Sequence, residues 1–344
     1  MSSTKNQRNR TRATGRITLA DVARLAQVSP ITVSRALRGE RAVDAELVTR
    51  VQAAAKTLGY VPDPAARALA SRHSAQVVVL VPLLSNALFV DVLEAVQRTL
   101  RPAGYQMLMG VTHYDANEEE LLLRELLQHR PAGLLVTGFE RNEATRQLIA
   151  NSGVPCVHLM EVSDAEGVYS VGFSQTDAGA EITRHLLNRG RRRIAFAGAQ
   201  LDPRTLQRLA GWRAELQRAQ LYDPKLEWLN PEPSSMALGG EILAQMLQAQ
   251  PDVDAIFFCN DDLAQGALLA ALRLGVPVPT RVAIAGFNDL TGSDQMLPAL
   301  TTVHTPRSEI GSAAAGMLVA LMNHESIASP CADLGYRLVV RAST

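Results

Sequence analysis

The sequence contains little cysteine and no long apolar segment. Its three cysteines, Cys156, Cys259 and Cys331, are widely spaced, and no Cys-x-x-Cys pair or Cys/His cluster accompanies them. An odd, scattered set of this kind argues against a disulfide framework and gives no indication of a metal site. No run of about 18 apolar residues occurs, so no membrane span is predicted.

Signatures of catalysis and of export are also missing. There is no GxGxxG after the first predicted strand, and no P-loop, HExxH or GxSxG. We therefore predict neither catalytic residues nor a cofactor, and an enzyme is the weaker alternative. The first 16 residues are polar and basic without the apolar segment of a secretory signal, which favours a cytoplasmic protein over a transport binding protein.

A net charge of zero conceals two oppositely charged parts of the chain. Residues 1–74 hold 13 Lys and Arg against 5 Asp and Glu, whereas the rest of the chain holds 21 against 29. A basic segment joined to an acidic body is typical of a polyanion-binding module attached to a second domain. We predict that residues 1–16 form a disordered basic arm.

The body of the chain alternates short apolar runs with helical segments. This alternation predicts βαβ units and a parallel sheet. The near absence of polar residues inside the runs indicates strands that helices cover on both faces. The predicted strand segments are VVVLVP (77–82), GYQMLMGVT, AGLLVTGF, VPCVHLM, RIAFAGA, DAIFFCND and VAIAGFND.

Residues 17–61 show helical periodicity broken by short turns. Thr18 is a predicted N-cap of a first helix, and Ser29 of a second helix that begins at Pro30. With Val33 in the core, this spacing predicts a helix-turn-helix whose second helix enters the major groove of DNA. The predicted DNA-binding residues of the motif are Thr18, Ser29, Pro30, Ile31, Thr32, Ser34 and Arg35.

A third helix, AELVTRVQAAAKTLGY, completes the predicted N-terminal domain. A three-helix domain without a role in DNA binding is the alternative, which the basic charge of this part of the chain disfavours. The residues predicted to pack against the first two helices are Val48, Val51, Ala55 and Leu58.

These segments carry a family resemblance. TLADVARLAQVS, ITVSRALRG and LGYVPDPAARALAS resemble the LacI/GalR family of bacterial repressors, and the body extends the resemblance over essentially the whole chain. The resemblance implies an N-terminal all-α helix-turn-helix domain and an α/β periplasmic-binding-protein-like domain of two doubly wound parallel-sheet lobes. One departure is Gln27, where the family usually has glycine. If the backbone there is left-handed, glutamine costs roughly 1 kcal/mol.

The resemblance also implies how the parts are connected. Residues 62–74 would form a hinge helix or linker in which Leu69 wedges into the minor groove, while the small Ala66 and Ala70 let two such helices approach. Simple core packing is the alternative role for Leu69. The N-lobe would comprise residues 75–173 and 306–333, and the C-lobe residues 174–305 and 334–344. A homodimer would read a palindromic double-stranded operator, with residues 89–97 on the N-lobe side of its seam.

Side chains that follow the predicted strands indicate a small-molecule site between the lobes, because ligands bind at the carboxyl ends of parallel strands. A single Asn or Asp there is more often a helix cap, so the prediction depends on convergence of several. By resemblance, Arg208 grips effector hydroxyls or a carboxylate, and Asn260 and Asn288 bond hydroxyls. The predicted effector residues are Leu84, Ser85, Asn86, Phe89, Met160, Glu161, Phe173, Arg208, Ser235, Asn260, Asn288 and Thr305.

The charge of the effector is predicted from Asn288. Many sugar-binding relatives have Asp there, and an amide removes the repulsion that a buried carboxylate exerts on an acidic ligand. Together with Arg208, this predicts a sugar acid. LDPRT and CNDDLAQGA resemble repressors that respond to gluconate or, in the PtxS-type subgroup, to 2-ketogluconate. The alternative is an activator or a co-repressor-dependent regulator that responds to a neutral sugar or nucleobase, because the sign depends on which lobe arrangement the ligand favours.

Overall fold

The computed structural model describes residues 17–37, 43–61, 74–84 and 87–344. The predicted basic arm (1–16), most of the predicted hinge (62–73, with Ala66, Leu69 and Ala70), and the predicted effector residues Ser85 and Asn86 lie outside the described residues. The chain divides into two compact units, residues 1–74 and 75–344.

The first unit contains the helices α1 (Leu19–Ala26), α2 (Pro30–Leu37) and α3 (Ala45–Leu58). The Asp21 carboxylate accepts hydrogen bonds from the backbone N–H and the hydroxyl of Thr18, at 2.9 and 2.7 Å, at the start of α1. Ser29 Oγ accepts from the backbone N–H of Thr32 at 3.1 Å, so Ser29 caps α2 as predicted.

A small apolar core joins these three helices. Val48 and Leu58, which the sequence predicts in this core, are only half-buried but pack against it. The buried residues are Val22, Ala23, Ala26, Val33, Ala36, Val51, Ala54 and Ala55.

The turn between α1 and α2 contains a left-handed residue that is not glycine. Gln27 has φ 55° and ψ 44°, a conformation that glycine adopts without steric penalty. The N–H of Val28 donates to the carbonyl of Ala23 at 3.0 Å and closes the end of α1. Gln27 therefore has the left-handed backbone for which a glutamine costs roughly 1 kcal/mol relative to glycine.

The second unit alternates strands and helices along the chain. Two short 3-10 helices, Pro224–Leu226 and Ser293–Gln295, lie among them. Its longer elements are β1 (Gln76–Val81), α4 (Ala87–Leu100), β2 (Gln106–Val111), α5 (Ala116–Leu127), β3 (Gly133–Thr137), α6 (Glu143–Ser152), β4 (Cys156–Met160), β5 (Tyr169–Gly172), α7 (Gln175–Asn188), β6 (Ile194–Ala199), α8 (Pro203–Arg218), β7 (Glu227–Asn230), α9 (Met236–Ala249), β8 (Ala255–Phe258), α10 (Asp261–Leu274), β9 (Ala283–Ala285), β10 (Thr302–His304), α11 (Arg307–Met322), β11 (Cys331–Asp333) and β12 (Arg337–Val339).

Two parallel sheets organise this unit. The first has the strand order β11-β5-β4-β3-β1-β2 and the second β7-β6-β8-β9, with all pairs parallel. An antiparallel ribbon of β10 and β12 accompanies them. In each sheet the chain order reverses beside the first strand, between β1 and β3 and between β6 and β8. Such a switch point is where open α/β sheets bind ligands.

Both faces of the first sheet are covered. Val77, Val79 and Val81 of β1 pack into the core cluster that contains α4, whereas Val78 and Leu80 pack into the cluster that contains α5 residues. This confirms the doubly wound architecture. The sequence prediction missed the short strands β5, β7, β10, β11 and β12, because three or four residues carry too little pattern.

Among the described residues, no helix is long and apolar enough to span a membrane.

The left-handed turn gives the first prediction. Gln27→Gly is expected to stabilise the first unit by about 0.5–1 kcal/mol, because glycine removes the penalty of φ 55°. Amide hydrogen exchange of the full chain should slow a few-fold in peptides covering α1 and α2.

The matched control is Gln52→Gly, at an exposed position inside α3. There the same substitution should destabilise by about 1 kcal/mol, because glycine is a poor helix former. Equal effects of the two substitutions would contradict the conformational explanation.

Candidate functional site

Helix α2 of the first unit has one buried and one exposed face. Val33 and Ala36 are buried, whereas Ile31 is 66% exposed. Pro30 and Arg35 are also exposed, and Thr32 and Ser34 are half-buried. The predicted DNA-binding residues of α2 therefore lie away from the core.

Three of the predicted contact residues, Thr18, Ser29 and Thr32, also make hydrogen bonds at the helix ends. The hydroxyls of Ser29 and Thr32 are 2.8 Å apart at the start of α2. The Thr18 hydroxyl is bonded to Asp21, and this bond lowers the pKa of the Asp21 carboxyl. A helix N-terminus with hydroxyls and backbone N–H groups is suited to phosphate oxygens.

In the second unit, a cleft of about 430 Å³ opens at the carboxyl ends of both sheets. Its volume lies in the range of small-molecule sites. The residues that line it follow β1, β2, β3 and β4 of the first sheet and β6 of the second. They are Leu80, Pro82, Thr112, Tyr114, Asp115, Ala116, Glu119, Thr137, Gly138, Glu140, Arg141, Asn142, Glu161, Gln200, Leu201, Asp202, Pro203 and Arg204.

Helix α8 brings Arg204 into this cleft. Asp202 caps the helix by accepting from the backbone N–H of Arg204 at 3.1 Å, and its carboxylate lies 3.3 Å from the Arg204 guanidinium. That guanidinium donates to Tyr114 Oη at 3.0 Å and lies 5.8 Å from the Phe89 ring centroid. Burial opposes the charge, but the oxygens of Tyr114, Asp202 and Glu161 outweigh it and raise the pKa of Arg204.

Arg208 lies one helical turn beyond Arg204 on α8 and is 3% exposed. Its hydrogen-bond acceptors within the described chain are neutral: Gln175 Oε1 at 2.9 Å, the Cys259 carbonyl at 2.7 Å and Asn260 Oδ1 at 3.1 Å. Its guanidinium carbon is 3.8 Å from the ring centroid of Phe287, a cation–π contact. Burial lowers the pKa of Arg208 to about 10, so the side chain remains positive at neutral pH.

A close helix contact positions Arg208. Gly179 of α7 lies against the Arg208 backbone, and a Cβ at this glycine would come within 2.4 Å of the Arg208 carbonyl oxygen. Gly211 makes a similar approach to Thr176. Because α7 and α8 touch through their backbones, the base of Arg208 has little freedom to shift.

A chain of amide and hydroxyl groups extends from Arg208. Asn288 Nδ2 donates to Asn260 Oδ1 at 3.0 Å, and Thr305 Oγ1 donates to Asn288 Oδ1 at 3.3 Å. All three residues are buried. The structure therefore brings together four residues predicted for the effector site, namely Arg208, Asn260, Asn288 and Thr305.

The other predicted effector residues are spread around this centre. Glu161 lines the cleft, and its Oε2 accepts from Gln207 Nε2 at 2.8 Å. Phe89 lies buried beneath Arg204. The remaining four predicted effector residues do not line the cleft and are not bonded to Arg208. Phe173 is buried with its ring 6.4 Å from that of Phe287, Met160 is buried with its carbonyl bonded to Gln175, Leu84 is 46% exposed, and Ser235 caps α9.

Comparisons with known proteins agree with this architecture. Residues 18–63 match the family described as bacterial regulatory proteins, lacI family, and residues 183–344 match a periplasmic binding protein-like domain. The HTH-type transcriptional regulator GntR of Pseudomonas aeruginosa is 56% identical over 344 residues, the whole of both chains. GntR of Escherichia coli K12 is 34% identical over 322 residues, 93% of this chain and 96% of that protein. The chain belongs to the LacI family.

Solved structures of LacI-family proteins show the same fold. Transcription regulator GntR from Chromobacterium violaceum aligns with a TM-score of 0.76 at 51% identity, over 78% of this chain and 98% of that one. A lac repressor dimer bound to operator and an anti-inducer aligns with a TM-score of 0.84 at 26% identity, over 95% and 99% of the two chains. This LacI-family chain is thus a DNA-binding transcriptional regulator.

Sequence reasoning missed several residues of the cleft in this LacI-family chain. Arg204, Asp202 and Tyr114 were not predicted, nor was the pair of Arg141 with Glu119, whose Nε–Oε1 distance is 2.9 Å. Tyr114 follows β2, Arg141 follows β3, and Asp202 and Arg204 follow β6, so wider use of the strand-end rule would have found them, whereas Glu119 lies inside α5 and gives no such signal. No group of His, Cys, Asp and Glu that could hold a metal occurs among the described residues.

His158 supports the Arg141 wall of the cleft. Its ring stacks on Phe139 at 4.5 Å between centroids, and its Nδ1 lies 2.8 Å from the Gly138 carbonyl oxygen. Burial lowers the pKa of His158 from 6.5 to about 4, and the positive charge of Arg141 acts in the same direction. The ring is therefore neutral in the folded protein at neutral pH.

This histidine gives a pH prediction. Since the folded pKa lies below the unfolded one, the unfolded chain binds more protons between pH 6.5 and 4, and stability falls as the pH falls through this window. The loss attributable to His158 is up to about 3 kcal/mol. We expect His158→Gln to show a smaller drop in melting temperature between pH 7 and pH 4.5 than the parent protein.

The control is His129→Gln, because His129 is exposed. This variant should keep the parent's drop. If His158→Gln lost as much stability on acidification as His129→Gln, the burial of a neutral imidazole would not be a source of the pH dependence.

Proposed function

We propose that this regulator is a homodimeric repressor whose affinity for a palindromic operator falls when a sugar acid binds between the lobes, with 2-ketogluconate as the first candidate and gluconate as the second. The observation that carries the effector assignment is the charge of Arg208. Its acceptors are neutral, in contrast to Arg141 and Arg204, which have carboxylate partners. The Asp202 carboxylate favours the charge of Arg208 coulombically, but it is not among the acceptors that Arg208 bonds within the described chain. Burying a cation whose bonded partners are neutral is costly, and an anionic ligand offsets that cost.

The identity of residue 288 supports an anion as well. Asn288 is joined to Arg208 through a single residue, Asn260. A carboxylate in place of the Asn288 amide would supply the missing negative charge and repel an acid. The amide leaves the charge of Arg208 available for the ligand.

The hydroxyls of a sugar acid have suitable partners beside Arg208 and at the cleft. Asn260, Asn288 and Thr305 provide amide and hydroxyl groups in the bonded chain that extends from Arg208, behind the residues that line the cleft, and Glu161 provides a carboxylate acceptor on the cleft wall.

The cleft is lined by five acidic and two basic residues. Glu119 and Asp202 are each paired with one of the two arginines, which leaves the carboxylates of Asp115, Glu140 and Glu161 as acceptors for hydroxyls. We therefore assign the carboxylate of the ligand to the α8 side, beside Arg208, and its hydroxyls to the other polar groups of the site.

The proposed response is a population shift between two arrangements of the lobes. An effector that binds one arrangement about 100-fold more tightly supplies about 2.7 kcal/mol of coupling. In the proposed mechanism, this rotates the N-lobes of the dimer relative to one another, unpairs the hinge helices and lowers operator affinity. The exposed face of α2 reads the operator in the major groove.

The effector assignment is tested by titration calorimetry of the full chain with 2-ketogluconate, gluconate, glucose and ribose. One of the acids should bind most tightly, and Arg208→Gln should weaken its binding about 10- to 100-fold, since a hydrogen bond to a charged group is worth about 1.5–3 kcal/mol. Melting temperatures of the variants confirm that they are folded.

The matched control is Arg218→Gln, which removes another arginine from the same helix at a position that is 65% exposed. It should bind the acid like the parent. Binding of a neutral sugar alone, or of none of the four, would overturn the sugar-acid assignment and leave membership of the LacI family unaffected.

The DNA-binding face gives a separate prediction. Arg35→Ala should weaken binding to an operator selected from random DNA by about 10- to 100-fold, because an arginine–guanine contact is worth about 1–3 kcal/mol. Arg218→Ala, a loss of the same charge in the second unit, should leave binding unchanged in a fluorescence anisotropy titration. Equal binding by Arg35→Ala and the parent would remove Arg35 from the recognition surface.

A further inference from the structure

The loop that carries Asn288 has an unusual backbone. Asn288 and the next residue, Asp289, have φ values of 104° and 52°, in the left-handed region. Residues other than glycine persist there only where their surroundings hold them. The contacts of this short loop therefore determine where the Asn288 amide points.

Side chains of the C-terminal part of the chain hold Asp289. Its carboxylate accepts from Arg341 Nη2 at 2.8 Å and lies 3.1 Å from His304 Nδ1. The backbone N–H of Asn288 donates to the Val303 carbonyl at 2.9 Å. These contacts fix the loop against β10 and against the residues that follow β12.

A single side chain connects the same loop to the other lobe. Arg307, the first residue of α11, donates from Nη1 to the carbonyl of Asn288, and its Nη1 and Nη2 lie 3.4 and 3.5 Å from the Asp289 carbonyl oxygen. Its Nε donates to Asp91 Oδ2 on α4 at 2.7 Å. One rigid guanidinium thus bonds the loop and the helix α4 at once.

Helix α4 is well placed to receive a movement from this loop. Phe89, two residues before Asp91, lies buried beneath Arg204 of the cleft. Helix α4 also packs tightly on α11, where a Cβ at Gly311 would lie 2.5 Å from the Val92 carbonyl oxygen. Because α4 and α11 are in such close contact, they are expected to move together.

We propose that the Asp91–Arg307 pair is a positioning device that holds the backbone of Asn288 and transmits its displacement to α4. This rests on the proposed function in that Asn288 is an effector residue and α4 (residues 89–97) belongs to the dimer seam. The Asp91 side chain is 44% exposed whereas that of Arg307 is 13% exposed, so water screens the carboxylate side of the pair and limits what it contributes to stability. The planar guanidinium of Arg307 can donate to the Asp91 carboxylate and to the loop carbonyls at the same time, which the single ammonium of lysine cannot do.

The first test needs no effector. In the ligand-free full chain, Asp91→Ala should raise the amide hydrogen exchange rate of a peptide covering residues 286–292 about 5-fold or more. Glu94→Ala is the matched control, since it removes an exposed acid from the same helix and breaks the Glu94–Arg98 pair at 2.6 Å. Asp91→Asn, which keeps an acceptor, should be intermediate.

The second test uses gluconate and 2-ketogluconate as probes. In the parent protein, a saturating acid should lower operator affinity about 100-fold, and in Asp91→Ala about 10-fold or less, with calorimetry showing that the acid still binds. Glu94→Ala should respond like the parent. Arg307→Lys should behave like Asp91→Ala, because its single ammonium cannot bond both partners.

The outcomes separate this proposal from the effector assignment. The coupling role would be overturned if amide exchange at residues 286–292 were the same in Asp91→Ala and Glu94→Ala. It would also be overturned if a saturating acid lowered operator affinity equally in these two variants. If the parent ignores both acids while Asp91→Ala still accelerates exchange at 286–292, the sugar-acid assignment fails and the link between Asp91 and the Asn288 loop is supported.

Discussion

The buried guanidinium of Arg208 sets the conditions for the rest of the second unit. A cation that is almost fully enclosed is stable only if its donors are bonded and its charge is stabilised in other ways. Here Gln175, Asn260 and a backbone carbonyl accept its hydrogen bonds, and the Phe287 ring lies against its face. The elements that supply these groups, α7, β8 and β9, must therefore meet around α8 in one arrangement.

Because Arg208 is bonded from several directions, its contacts extend over much of the second unit. The partners of Arg208 continue to Asn288, the loop of Asn288 is bonded to Arg307, and Arg307 is bonded to Asp91 on α4. One turn away from Arg208, Arg204 contacts Tyr114, which follows β2 of the first sheet, and Phe89 of the helix α4 that packs on that sheet. Under the proposed function, a ligand that binds at Arg208 would act on the elements around both sheets through these contacts and so favour one lobe arrangement over another.

The parts of the structure that depend on local sequence were predictable. Ser29 lies where a cap, a turn and a proline at the first helical position coincide, and the structure confirms it as the cap of α2. The buried strand β1 was visible as an unbroken apolar run because both of its faces are covered. Gln27 was identified as a departure, and its left-handed backbone follows from the tight turn between α1 and α2.

The parts that depend on distant residues were only partly predictable. Arg208, Asn260 and Asn288 were named because they follow predicted strands, and their roles came from the resemblance, but the bonds that join them connect residues 28 to 52 positions apart. Tyr114 and Arg204 meet across 90 positions, and Asp91 and Arg307 across 216. No periodicity or spacing in the sequence encodes such pairs, because they arise only when distant segments of the chain are folded together.

Recognition of a carboxylate is tested most simply by comparing gluconate with glucitol. Glucitol is the polyol that carries an alcohol where gluconate carries the acid. Calorimetric titration of the unmodified full chain with each compound isolates the contribution of that group. If Arg208 holds the carboxylate, gluconate should bind about 100-fold more tightly, which corresponds to about 2.7 kcal/mol for a charge-assisted contact over a neutral one. Equal affinities, or a preference for glucitol, would contradict it.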